Sequence, residues 1–263
     1  VNDDGSSRMW KAYLGASLGN HFHEANIFVA DHAPGLFYGY QTDGIIQEND
    51  PYLSQVTNSV GTLGAGNLKF VDRNGDKKID EKDKTIIGNP NPDFTYGIQT
   101  SFTWKSLTLS LAFNGVYGND ILNANARYYN FPSQSNGMVL AESYRNMYHE
   151  ENPWNGAANY SRTTTSPNST VPQVVFDSYV EDGSFLRCTD ITLGYDLPKN
   201  WVKKIRFSNI GVFASAKNLF CINNYSGYDP EVNTFAFDGT RPGIDLSSYP
   251  HTRSFIFGLN VSF

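Results

Sequence analysis

Between Tyr96 and Tyr117 apolar and polar residues alternate almost one by one, and few folds accept that pattern over such a length. Tyr96, Ile98, Phe102 and Trp104 share one face, while Thr95, Gly97, Gln99, Ser101 and Thr103 take the other. Successive side chains of a β-strand point to opposite faces, so the pattern predicts a strand with one apolar and one small polar side. Lys105 and Ser106 interrupt the alternation, and it resumes at once with Leu107, Leu109, Leu111, Phe113 and Tyr117 against Thr108, Ser110 and Asn114. Two such strands joined by two residues predict a tight hairpin. The theme returns at the end of the chain, with Phe255, Phe257, Leu259, Val261 and Phe263 against Ser254, Gly258, Asn260 and Ser262.

Weaker copies run through Ile191, Leu193, Tyr195 and Leu197, and through Ile210, Val212, Ala214 and Ala216, with Pro198-Lys199-Asn200 between them. Tyr13 to Leu18, Asn26 to Ala30 and Phe37 to Gln47 are further strand candidates. About eight strands are expected in all. The one helical spacing is Met138, Ala141, Tyr144, Met147 and Tyr148, which predicts a helix over Met138 to His149. The fold class is therefore all-β and antiparallel.

Connection lengths narrow the choice further. The turn at Lys105 and Ser106 is minimal, whereas Glu48 to Pro92, Gly118 to Ser178 and Asn223 to His251 are long and rich in Asn, Ser, Tyr and Gly. Several connections beyond about 15 residues are unusual in a compact soluble domain. Short turns at one end and long loops at the other are the habit of a transmembrane β-barrel. Tyr96, Trp104, Tyr117 and Tyr195 lie at strand ends, where interfacial aromatic girdles belong. No run of about 18 apolar residues exists, so no transmembrane helix is expected, which leaves a barrel untouched. The competing reading is a soluble, calcium-stabilised β-sandwich that binds carbohydrate, with the apolar faces packed inside. Asp and Glu outnumber Lys and Arg 26 to 20 in the 263 residues. That balance gives no basic stripe for nucleic acid. The start, Val1-Asn2-Asp3-Asp4-Gly5, resembles neither an initiator nor a leader, so the chain is expected to be a processed product or an internal piece of a larger protein.

One stretch has metal-ligand spacing. With Asp72 as position 1, Asn74, Asp76, Asp80 and Asp83 place oxygen donors at positions 3, 5, 9 and 12 of a calcium loop, and Lys78 offers its carbonyl at position 7. Calcium takes six to eight oxygens at about 2.3–2.6 Å, which such spacing can gather. Position 6 is Lys77 instead of Gly, and position 12 is Asp instead of Glu. The flanks look like strands, so the expectation is a structural Ca2+ in a β-context. Tyr128, Tyr129, Trp154 and Tyr160 in the long loops are candidate stacking surfaces for a sugar or peptide ligand. His21 and His23 alternate on one strand face but find no further partner in the sequence. Neither a nucleophile elbow, a phosphate loop nor a convergent carboxylate pair is recognisable, so an enzyme is not expected.

Several stretches, taken in order, resemble one family. They are Pro34-Gly-Leu-Phe-Tyr-Gly-Tyr-Gln-Thr-Asp-Gly-Ile45, Asp72 to Asp83 with Ile87-Gly-Asn-Pro-Asn-Pro-Asp-Phe94, and Asp182-Gly-Ser-Phe-Leu-Arg187 with Ile191-Thr-Leu-Gly-Tyr195. Lys217-Asn-Leu-Phe220, Gly227-Tyr-Asp-Pro-Glu231 and Tyr249-Pro-His-Thr-Arg253 running to Phe263 complete the set. Together they resemble the SusC/RagA-like TonB-dependent outer-membrane transporters. The resemblance implies a barrel of about 22 strands with an N-terminal plug, in a Bacteroidota-type outer membrane. It implies import of oligosaccharides or peptides under a SusD-like surface lipoprotein, energised by the TonB complex. Neither a plug nor a TonB box is recognisable, so residues 1–263 correspond by resemblance to the C-terminal portion of the barrel, with the remaining wall supplied by another segment.

Overall fold

A computed structural model of the chain describes residues 13–15, 18, 24–61, 63–127, 141, 145, 174–231 and 234–263. They fall into two compact units, each assembled from three chain segments.

One unit is a meander of five long antiparallel strands. These are β1 (Phe94–Trp104), β2 (Leu107–Tyr117), β3 (Phe185–Asp196), β4 (Asn209–Asn223) and β5 (Ser254–Ser262). They lie side by side in chain order, because each neighbour follows by a connection that reverses direction. Lys105 adopts a left-handed backbone (φ 55°) to close the β1–β2 hairpin across two residues. With β1 and β2 at 11 residues each, a rise of about 3.4 Å per residue gives roughly 37 Å of strand. Tilted by about 45°, that spans the apolar band of about 25 Å.

The register explains why the sequence alternates. Trp104 pairs with Leu107 and Leu107 with Tyr195; Phe102 pairs with Leu109, Leu109 with Leu193, Leu193 with Ala214 and Ala214 with Phe257. One face is thus apolar row after row, and it is uncovered. Ile98 and Phe102 are each 61 % exposed, Leu259 62 % and Phe257 80 %. A sandwich would bury these side chains. A lipid-facing wall presents them. At one end of the strands Trp104 and Tyr195 are exposed, and at the other Phe94 and Tyr117 stack at 5.2 Å, so both expected aromatic girdles are present. Gly115 lets the Tyr96 ring lie across it, with its hydroxyl donating to the Phe185 carbonyl at 3.0 Å.

Two irregularities interrupt the wall. Thr189 is an extra residue between Cys188 and Asp190, and its hydroxyl donates to the Ala112 carbonyl at 3.0 Å. On β4 the pairing shifts between Lys217 and Phe220, where Asn218 is left-handed (φ 51°). Such bulges switch which alternate residues face each side. Leu186 and Cys188 therefore share the apolar face with Ile191 and Leu193 despite the odd spacing.

The other unit holds its own core. Its largest sheet runs in the order Tyr13–Leu14, Asn26–Phe28, Leu36–Gly39 and Thr85–Gly88. Phe70 packs edge-on against Tyr40 and Phe176, with ring centroids at 5.6 and 6.0 Å, and Phe176 lies 4.1 Å from Tyr179. Phe37, Ile46, Ile79, Leu122 and Ile244 surround them at 0 % exposure. The early strand candidates form here, but as pieces of two to four residues. Phe37 to Gln47 divides into Leu36–Gly39 and Thr42–Ile45, since the Tyr40 amide and carbonyl bond Val175 and Asp177 instead of a neighbouring strand. Strands this short cannot span a bilayer, so the wall strands described number five where about eight were expected. Of the expected helix Met138 to His149, Ala141 and Arg145 are helical and the rest lies outside the described residues. Among the described residues no helix is long and apolar enough to cross a membrane.

The wall's two faces respond differently to charge. Leu111→Arg, at mid-strand on the apolar face, should destabilise the membrane-embedded protein by about 2–4 kcal/mol, and Ser110→Arg on the polar face by much less. Denaturant unfolding of the complete protein in lipid reads the difference; equal costs would contradict the assigned faces.

Candidate functional site

The polar face of the wall is lined by small hydroxyl side chains. Ser101 and Ser110 lie 3.1 Å apart across β1 and β2. On β3, Thr192 donates to Asp190 at 2.8 Å or to Ser215 at 2.9 Å, and Ser215 reaches Asp190 at 3.3 Å. Cross-strand hydroxyl pairs suit a surface that meets water or another polar surface. They leave one carboxylate, Asp190, held among hydroxyl groups.

The strongest electrostatic feature joins the wall to the segment between β4 and β5. Arg187, on β3 just before the bulge, is 4 % exposed, and Asp229 is 3 % exposed. The Arg187 Nη2 donates to Asp229 Oδ1 at 2.5 Å, and its Nε donates to Glu231 Oε2 at 3.2 Å. Asp229 accepts three further bonds, from the Glu231 amide at 2.9 Å, the His251 amide at 3.0 Å and the His251 ring Nδ1 at 2.9 Å. Burial alone would push the Asp229 carboxyl up. The backbone amides of His251 and Glu231, the His251 ring and the Arg187 guanidinium outweigh it and hold the pKa below 3.8. Two distant parts of one connection, at Asp229 and His251, are thereby pinned to one wall strand. Sequence reasoning assigned none of these residues a role. The available signal was their place in the stretches ending at Arg187, Glu231 and Arg253.

The Asp72–Asp83 loop closes on itself. Asp72 accepts from the amides of Gly75 and Lys77 at 2.8 and 2.7 Å, Asn74 from Asp76 at 3.0 Å, and Asp76 from Lys78 at 2.9 Å. Asp80 accepts from the Lys82 amide at 3.0 Å and pairs with the Lys78 ammonium at 3.1 Å, and these two contacts, in that order, lower its pKa. Asp83 is fully buried and accepts from the amides of Arg73 and Asp80 at 2.9 and 2.8 Å. Lys77 takes a left-handed backbone (φ 63°) at the position where the calcium-loop template has Gly. The strand-like flanks are strands, Leu68–Phe70 and Thr85–Gly88. Among the described residues no group of three or more His, Cys, Asp or Glu is placed to hold a metal ion. Tyr128, Tyr129, Trp154 and Tyr160, and also His21 and His23, lie outside the described residues.

No family model matches the chain. Individual proteins do. TonB-dependent receptor P3 of Formosa agariphila is 32 % identical over 254 residues, covering 94 % of this chain and 24 % of that protein. TonB-dependent receptor P39 of the same organism is 30 % identical over 274 residues, with 95 % and 25 % covered. TonB-dependent receptor SusC of Bacteroides thetaiotaomicron is 30 % identical over 197 residues, with 74 % and 17 % covered. The chain belongs to the SusC/RagA-like TonB-dependent receptors. The solved RagAB peptide transporter has the same fold over 96 % of this chain and 24 % of its own, at a TM-score of 0.69 and 19 % identity. RagAB in its open-open state superposes at 0.66 with 21 % identity. The five-stranded wall is thus part of an outer-membrane β-barrel. The chain spans about a quarter or less of the relatives it matches, and those relatives are named as receptors, not enzymes.

The pinned carboxylate in this receptor segment has a pH signature. A lowered pKa makes its contribution complete above the ordinary value of 3.8 and lost as pH falls through the lowered value. Hydrogen exchange at the amides of Glu231 and His251, taken relative to the intrinsic rate at each pH, should therefore be constant from pH 7 to 5 and rise below about pH 4. Asp229→Ala should raise it at every pH, because removing one partner of a buried pair costs about 3–5 kcal/mol. Unchanged exchange in that variant would mean that the connection is held by something else.

Proposed function

We propose that the complete receptor imports an oligomeric nutrient, an oligosaccharide or a peptide, across the outer membrane. The observation that carries this reading is the two-faced wall, apolar and exposed on one side and lined with hydroxyl groups on the other, in a chain related to TonB-dependent receptors over nearly its whole length. Such a wall separates lipid from a polar passage. Transport needs no bond chemistry from these residues. They bound the passage, tolerate water and present hydrogen-bonding groups to a passing polar chain.

In this reading the plug and the remaining strands complete the barrel, the TonB complex supplies energy from the periplasm, and a SusD-like surface lipoprotein caps the outer mouth. The family resemblance implies either class of ligand, and the likeness to the RagAB peptide importer supports the peptide one. Tyr128, Tyr129, Trp154 and Tyr160 are the proposed stacking residues for either ligand. Deleting the receptor in its native host and measuring growth on oligosaccharide or peptide pools as sole source tests the assignment. Growth unaffected on every pool would remove it. Pull-down of the tagged receptor should bring a surface lipoprotein in near-equal amount, and recovery of the receptor alone would remove that partner.

A structural Ca2+ at Asp72, Asn74, Asp76, the Lys78 carbonyl, Asp80 and Asp83 is a separable part of the proposal. It is supported by the donor spacing and by the lone pairs left on carboxylate oxygens that accept one donor each. Millimolar calcium should slow proteolysis at this loop and a chelator should restore it. Equal cleavage under both conditions, with Asp72→Ala behaving as the parent, would assign the closure to the loop's own amides.

A further inference from the structure

The short connections of the wall carry a charge pattern that the rest of the chain lacks. They comprise Lys105 with Ser106, and residues 197–208 between β3 and β4. Within them stand Lys105, Lys199, Lys203, Lys204 and Arg206 and not one Asp or Glu, although acidic residues exceed basic ones over the whole chain. All five cations are exposed. Among the described residues none of them forms an ion pair.

The fold gathers these cations at one edge. The Asp196 amide donates to the Ser106 carbonyl at 2.9 Å, so the two connections are neighbours. A short helix, α1 (Lys199–Lys204), is fixed by Val202 at 1 % exposure, and beyond it Phe207 packs on Phe263 at 5.2 Å. Anchored in this way, α1 turns Trp201 (66 % exposed) and the following Ile205 outward among the basic groups. Trp104, 69 % exposed at the end of the lipid-facing row, lies under the Lys105 ammonium at 4.8 Å.

We propose that this edge is a binding surface for anionic phospholipid headgroups of the membrane leaflet at the short-connection end of the barrel. The occupant follows from charge and depth. Unpaired cations next to exposed indole rings, directly beyond an apolar strand face, stand where headgroup phosphates lie, and their sign matches an anionic lipid better than a zwitterionic one. An aromatic girdle alone would need no cations, and a solvated loop would not shed every carboxylate. The inference rests on the membrane placement of the wall and is independent of what the receptor transports.

Native mass spectrometry of the complete receptor, released from a membrane holding phosphatidylethanolamine and phosphatidylglycerol, tests it. The parent should retain phosphatidylglycerol in preference to phosphatidylethanolamine. The Lys199→Gln, Lys203→Gln, Lys204→Gln, Arg206→Gln variant should lose that preference at least tenfold, since each cation near the surface is worth about fivefold. Lys77→Gln with Lys82→Gln, on the other unit, should keep it. If the fourfold variant does not assemble, the parent alone decides: the preference should fall as salt rises from 0.1 to 1 M, as the screening length shrinks from about 10 to about 3 Å. Equal retention of the two lipids by the parent, a preference untouched by the substitutions or by salt, or retention of lipopolysaccharide in their place would each overturn the assignment.

Discussion

In hydrocarbon no water is available to meet a backbone amide or carbonyl, and this one requirement organises the chain. Each unsatisfied group costs several kcal/mol, so strands crossing a bilayer must pair on both edges. The wall satisfies the rule internally between β1 and β5, where the four junctions are paired along nearly their full length. Among the described residues its outer edges, along Phe94–Trp104 and Ser254–Ser262, are paired on one side only. Once the sheet lies in lipid, further strands must meet both edges. A share of about a quarter in each TonB-dependent receptor it matches accords with that demand.

The same requirement explains where irregular structure is permitted. Bulges at Thr189 and Asn218 keep their backbone within a paired sheet, while the long insertions leave the wall before they abandon regular pairing. The insertions follow water-soluble rules instead. They bury Phe37, Tyr40, Phe70, Phe176 and Tyr179 in a core of short strands. Where an insertion must be tied to the wall, a buried ion pair with additional amide donors does so. Arg187 also reaches Glu231, and Asp229 is satisfied on both oxygens by the guanidinium, two backbone amides and the His251 ring.

What the sequence discloses depends on how regular the underlying geometry is. β1 and β2 pair without a register shift, so Tyr96 to Tyr117 reads as strict alternation and locates both faces and the turn. β3 and β4 carry bulges, which is why their alternation looked weaker although the apolar rows are equally continuous. The other unit is legible only in part, for a different reason. Strands of two to four residues carry too few side chains to display a period, and its core residues come from three separate segments. The Arg187–Asp229 pair spans 42 positions, and no local pattern links such residues. The calcium-loop template located a real turn with the expected strand flanks and a left-handed backbone at its sixth position.

The central claim is that one face of the five-stranded sheet meets lipid and the other meets water. Spin labels placed singly at Leu109, Leu193 and Phe257, and at Ser110, Thr192 and Ser215, in the complete receptor reconstituted in bilayers, measure it directly through collisions with oxygen and with a water-soluble nickel chelate. Cys188 and Cys221 are first replaced by Ala to leave one label site in this chain. The account predicts that the first three positions favour oxygen and the second three favour the chelate or are shielded by polar contacts, alternating residue by residue along each strand. Apolar-face positions shielded from both reagents would place that face in a protein core and contradict the account.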